Sequence, residues 1–277
     1  MEPILLYKLD IWSQYPKSSE MLILDDHQLI IMMPQKCGTS TIEMRLSSLH
    51  NESVRPRASY YEPKLRKYVS KHVTLKDASK LGFSRKREHY DKACFVRNPY
   101  ERVYSWFLWQ VRRLETALPE RGREDPAVDA TAITAGASAE EQHMHRIFSR
   151  LKLKMDSVGW NFSRYLKKSP KTYKPISKFT HRRFRNRMNF IGYVERFEVD
   201  YLDLLQRYQI PVTSEMTTNT SAVPRLECDP HSMNAQDYRY LKFYDQASIA
   251  IVNRLLKKDF KYFGYEMLNP RDFPDSL

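Results

Sequence analysis

The sequence predicts an α/β protein: a central, mostly parallel sheet flanked by helices, with a P-loop-like strand–loop–helix core for binding a nucleotide. Three observations point there. Short apolar runs at Leu29–Met33, Ala93–Arg97 and Asn189–Tyr193 are each followed by a helical stretch. Strands that alternate with helices favour a parallel sheet. The first two runs end in turns carrying cations and hydroxyls, at the carboxyl ends of strands where ligand sites form in open α/β sheets.

Met21–Leu24 and Leu29–Met33 read as strands about a turn at Asp25-Asp26. The second strand runs into Pro34-Gln35-Lys36-Cys37-Gly38-Thr39-Ser40-Thr41, and an amphipathic helix is expected from Ile42 to Leu49. A turn of this composition makes an anion cradle. Backbone N–H groups at the helix start face the ligand, hydroxyls add donors, and Lys36 supplies full charge. The lysine precedes the glycine, so the Gly-x-x-x-x-Gly-Lys-Ser/Thr order of an ordinary nucleoside triphosphatase is absent.

Lys64–Glu88 is basic and reads as partly helical, with a turn at Gly82. The strand Ala93–Arg97 meets Asn98-Pro99, a helix-start signal, and an aromatic-rich helix follows from Tyr100 to Leu114. Its Tyr104, Trp106, Phe107 and Trp109 read as core. Ala117–Ala139 is rich in Ala, Pro, Gly and acids without periodicity; a mobile insertion is expected near 115–145. Glu140–Lys154 is helical, Glu198–Tyr208 an amphipathic helix, Thr213–Asp229 a loop and Ala235–Lys258 a long helix, with Phe260–Met267 closing the fold. Neither an internal repeat nor a linker is visible, so residues 1–277 are expected to form one domain.

The chain has 46 Lys and Arg against 33 Asp and Glu, a formal charge of +13. Such an excess implies anionic partners or a solubilising surface. Cys37, Cys94 and Cys228 are odd in number and lack paired-ligand spacing, which argues for a reducing compartment and against disulfides or zinc. Met1–Asp10 has no charged-then-apolar leader, and no apolar run is long enough to cross a bilayer. A full-length chain is thus expected in the cytoplasm, the remainder of a membrane-anchored protein in a lumen.

A second constellation is Arg97-Asn98-Pro99, Arg102 and Ser105. Ser105 lies about two helical turns beyond the strand end. A guanidinium there and a helix hydroxyl can converge on one phosphate; surface ion pairs with a packed Ser105 are the alternative. Arg164–Arg187 carries ten Lys and Arg and no acid, with Tyr165, Tyr173 and Phe179 interleaved. That run reads as a groove for an anionic acceptor or nucleotide, or as a solvated basic loop. Cys37, beside Lys36 and a helix start, is a candidate for a thiol of lowered pKa.

Taken together, Lys36-Cys37-Gly38-Thr39-Ser40-Thr41 and Arg97-Asn98-Pro99…Arg102…Ser105 resemble the sulfotransferase superfamily. They match its Lys-x-Gly-Thr/Ser-Thr/Ser loop and its Arg-Asn/Asp-Pro-x-x-Arg-x-x-Ser element. Pro-Gln-Lys before the glycine is similar to the heparan N-sulfotransferase branch. Phe190-Ile-Gly-Tyr-Val-Glu195 through Asp200, and Tyr244-Asp245 through Tyr265, are similar to segments of carbohydrate sulfotransferases. The resemblance spans roughly 28–50, 70–112 and 188–267.

It implies 3′-phosphoadenosine 5′-phosphosulfate as donor, adenosine 3′,5′-bisphosphate as product, a hydroxylated and saccharide acceptor, and no metal. The cradle from Lys36 through Cys37, Gly38, Thr39 and Ser40 to Thr41 would hold the 5′-phosphosulfate. Arg97 and Ser105 would hold the 3′-phosphate, and Lys36 would act on the leaving oxygen. His72, in Lys71-His72-Val73-Thr74, is the candidate base. A capping or surface histidine is the alternative, with Glu52 and Glu62 as rivals from the heparan branch. Two other readings fit parts of the sequence: a magnesium-dependent kinase with an altered loop, and a basic nucleic-acid-binding protein. The second accounts for the charge but not for the pairing of cradle and Arg–Ser element, so nucleic acid is not an expected partner.

Overall fold

The computed structural model describes residues 22–46, 60–62, 67–69, 74, 77, 80, 87–117, 139–170, 173–177, 188–212 and 239–277. Strands β1 (Leu22–Leu24) and β2 (Leu29–Met32) pair antiparallel, Leu24 opposite Leu29, around a 3-10 turn at Asp25–His27. Arg87 holds that turn through two hydrogen bonds to Asp25, of 2.6 and 2.9 Å.

Strand β5 (Asp91–Val96) lies parallel to β2, with Met32 opposite Cys94, and β6 (Phe190–Tyr193) lies parallel to β5, with Val96 opposite Tyr193. The order β1-β2-β5-β6 gives the expected mostly parallel sheet. Every residue of β2 is buried, as the unbroken apolar run demands of a strand covered on both faces.

One expectation on the chain path is extended and one corrected. The stretch read as partly helical is helical at Asp77 and Lys80, and it also contains strand β4 (Lys67–Val69), which pairs with β3 (Tyr60–Glu62) in a separate two-stranded sheet. Tyr60, Tyr61, Tyr68 and Val69 are strand formers, and a partner strand within reach outweighs the weak helical pattern. The long helix expected over Ala235–Lys258 is interrupted within the described residues. A 3-10 turn at Arg239–Phe243 stops at Tyr244, and helix α6 (Gln246–Phe263) starts afresh. Asp245 caps it, accepting the Ser248 N–H at 2.8 Å, and Ser163 and Lys167 also donate to Asp245 at 2.6 Å.

The other helices are α1 (Thr39–Leu46), α2 (Pro99–Ala117), α3 (Ala139–Asp156), α4 (Phe162–Lys168) and α5 (Phe197–Arg207). Helix α4 overlaps the start of the basic run, where the sequence reading places no helix. Asn98 opens α2 by accepting the Tyr100 N–H at 3.0 Å, with Pro99 in the first helical position. The α2–α6 seam is aromatic: the Tyr100 and Phe260 rings lie 5.0 Å apart, and the Tyr244 hydroxyl donates to Tyr100 O at 2.7 Å.

Gly192 is demanded by packing, because a Cβ there would sit 2.4 Å from the Phe95 ring. Phe95 in turn packs on Phe197 at 5.1 Å, tying the sheet to α5. Among the described residues no helix is long and apolar enough to cross a membrane. The insertion expected near 115–145 falls largely outside the described residues.

Candidate active site

Strands β2 and β5 are neighbours and parallel, so the turns leaving their carboxyl ends share one edge of the sheet. The first turn reverses the chain with Lys36 at φ 66° and Gly38 at φ 72°. Gly38 answers two constraints, since a side chain would be strained at that φ and its Cβ would lie 3.2 Å from the Phe197 ring. At the start of α1, Thr41 N–H and Ile42 N–H both donate to Gly38 O, at 3.0 and 3.1 Å.

Helix α1 therefore starts at Thr39 rather than Ile42, and the three hydroxyl residues form its first turn. Thr39 and Thr41 are buried and only Ser40 is exposed, so the cradle's outward donors are Ser40 and backbone amides. Cys37 is fully buried, its Sγ 3.6 Å from Gln35 O. Burial pushes its thiol up to about 12, against the pull of Arg102 and Arg97. The expected low-pKa thiol is thereby corrected: desolvation outweighs the helix terminus and the nearby cations.

The second turn brings Arg97 onto the first. Arg97 Nη1 donates to Ser105 Oγ at 3.1 Å and to Lys36 O at 3.4 Å. Nη2 pairs with Glu101, a partner that sequence reasoning gave no role. Burial works to lower the Arg97 pKa, but the Glu101 carboxylate more than offsets it and the guanidinium stays cationic. Arg97 Nε is buried without a hydrogen-bond partner.

Arg102, one helical turn beyond Asn98, holds Gln35 O at 3.0 Å and Lys174 O at 2.7 Å. A small cleft lies there, lined by Gln35, Lys36, Arg102, Trp106, Tyr173 and Lys174. Lys36 Nζ stands 5.7 Å from the Trp109 ring centre. Phe107 is buried in the core as expected, while the half-buried Trp106 both packs against the core and lines the cleft, and the half-buried Trp109 stands beside Lys36.

Behind the second turn, the buried Glu195 accepts the Asn98 N–H at 2.6 Å and the Tyr265 hydroxyl at 3.0 Å. Burial raises its carboxyl to about 7, against the Asn98 bond, which acts to lower it. Glu195 belongs to the recognised tail pattern, yet its hold on Asn98 links residues far apart in sequence, and no local signal marks it.

Of the other expected residues, His72 and Glu52 lie outside the described residues, and Glu62 ends strand β3. The basic run splits. Tyr165 is buried in the core beneath the Lys154 ammonium, at 5.1 Å, so it is no stacking platform. Lys167 is taken by Asp245. Lys174 reaches the cleft, and Phe179 and the arginines from 182 onward lie outside the described residues.

The arrangement suits a dianionic phosphate ligand. Around one turn stand an ammonium, a guanidinium with an unpaired buried N–H, an exposed serine and a helix start, with Glu101 as the opposing charge. A family model described as the sulfotransferase family matches residues 19–266. No curated protein matches the chain, and no solved structure does.

Proposed function

The chain belongs to the sulfotransferase family and is an enzyme that transfers sulfate; on that premise we propose that it carries a sulfuryl group from 3′-phosphoadenosine 5′-phosphosulfate to a carbohydrate hydroxyl. That donor, when bound, supplies an activated sulfuryl group and a phosphate leaving group. The observation that carries the reading is the Arg97 guanidinium, which contacts both Ser105 and the carbonyl of Lys36. It makes one surface of two motifs distant in sequence.

In this reading the backbone from Cys37 to Thr41, with the Ser40 hydroxyl, grips the 5′-phosphate side through helix-start amides. Arg97 and Ser105 grip the 3′-phosphate. Lys36 neutralises charge on the leaving oxygen, which in-line group transfer requires more than covalent help from the protein. His72 takes the proton of the acceptor hydroxyl, with Glu52 and Glu62 as the alternatives. Metal chemistry has no part in this scheme. The carbohydrate acceptor is supported by the similarity of Phe190–Asp200 to the carbohydrate sulfotransferases.

The test is transfer of labelled sulfate from the donor to a panel of oligosaccharides, with and without a chelator. Labelled saccharide formed equally in both supports the reading. Labelling confined to small phenols or alcohols would move the acceptor to another class.

A further inference from the structure

Arg102 and Asp259 join the two lips of the cleft above Lys36. On one lip Arg102 Nε holds Gln35 O at 3.0 Å, the carbonyl directly before the left-handed Lys36. On the other, Arg102 Nη2 holds Lys174 O at 2.7 Å. Asp259, on α6, takes the next amides of that lip, Ile176 N–H at 2.7 Å and Ser177 N–H at 2.9 Å. Arg102 and Asp259 face each other at 3.5 Å with almost no exposure.

Burying such a pair stabilises little by itself, and breaking it leaves a lone charge. Here both members spend their hydrogen bonds on the backbone that borders Lys36. Tyr173, on the lip they hold, is nine-tenths buried, and its hydroxyl has no hydrogen-bond partner.

We propose that Arg102 and Asp259 are a positioning pair for sulfuryl transfer: by clamping Gln35 and residues 174–177 they fix the cleft and aim the Lys36 ammonium without themselves touching the donor. The proposal rests on the reading that Lys36 acts on the donor. A guanidinium is required because three directions must be served at once, and an ammonium has no such planar fork.

The test uses Asp259→Asn and, should that variant fold poorly, Arg102→Lys, each checked for folding by circular dichroism. Three quantities are read: amide exchange at Ile176 and Ser177, the Kd for adenosine 3′,5′-bisphosphate, and the protection that nucleotide gives Lys36 against an amine-acylating reagent. In the variants, exchange at 176–177 rises by about tenfold or more. Nucleotide protection of Lys36 falls by roughly tenfold or more, while Kd weakens by only about threefold, because the remaining phosphate contacts persist. Faster exchange with Lys36 protected as in the parent reduces the pair to a structural role and overturns the proposal. A parent whose Lys36 the nucleotide does not protect overturns the functional reading itself, and the pair's role with it.

Discussion

Arg97 reaches across the sheet edge to the main-chain carbonyl of Lys36, 3.4 Å away, with the same nitrogen that donates to Ser105. This contact exists because β2 and β5 are adjacent and parallel, so both strand ends open on one side. It makes the cradle and the Arg–Ser element a single surface. It also sets which residues bear on chemistry and which on architecture.

On the proposed function, Lys36 acts in the chemical step. Replacing it with alanine leaves the helix start and Arg97 in place, so nucleotide affinity changes modestly while kcat falls on the order of 10²–10³-fold. Steady-state rates at saturating donor check this. A fall in affinity with unchanged kcat would make Lys36 a binding residue only.

Gly38 bears on architecture. Alanine there meets both the left-handed φ of 72° and the Phe197 ring at 3.2 Å. Gly38→Ala is expected to cost about 1–2 kcal/mol of stability, read from urea unfolding midpoints. Because Phe197 supplies the steric part, Gly38→Ala is expected to cost less when measured in a Phe197→Leu background, where the clash is relieved and the backbone strain remains.

Glu195 makes stability depend on pH. Its folded pKa, raised by burial from 4.5 to about 7, means that the folded state holds a proton which the unfolded chain has released. Stability from this group is therefore full below 4.5 and declines as pH rises to about 7. The loss is on the order of 3 kcal/mol. Glu195→Gln still accepts the Asn98 N–H and can donate to Tyr265. The variant should match the parent near pH 5 and exceed it near pH 8 in thermal unfolding. Equal pH profiles for the two would show that Glu195 is ionised throughout.

The sheet was legible because β2 and β5 are unbroken apolar runs, and Asn98-Pro99 marked the start of α2 by capping chemistry alone. Lys36, Gly38, Arg97 and Ser105 were legible as a pattern. What joins them was not. The reach of Arg102 to Gln35 and Lys174 depends on how α2 and α6 pack, and Asp245 looks like any helical acid until the Tyr244 ring enters the α2 seam. Trp106 packs on the core as its composition suggests, but composition could not show that it also walls the cleft or that Trp109 stands beside Lys36. For Cys37, the sequence shows the cations that lower a thiol pKa but not the burial that raises it.

The central claim is that the Lys36 turn and the Arg97–Ser105 pair grip one adenosine bisphosphate. Calorimetric titration with adenosine 3′,5′-bisphosphate, in chelator, tests it most directly. The account predicts saturable binding without magnesium, weakened roughly 10- to 100-fold by Arg97→Ala. Tighter binding of ATP with magnesium, or an Arg97→Ala variant that binds as the parent does, would contradict it.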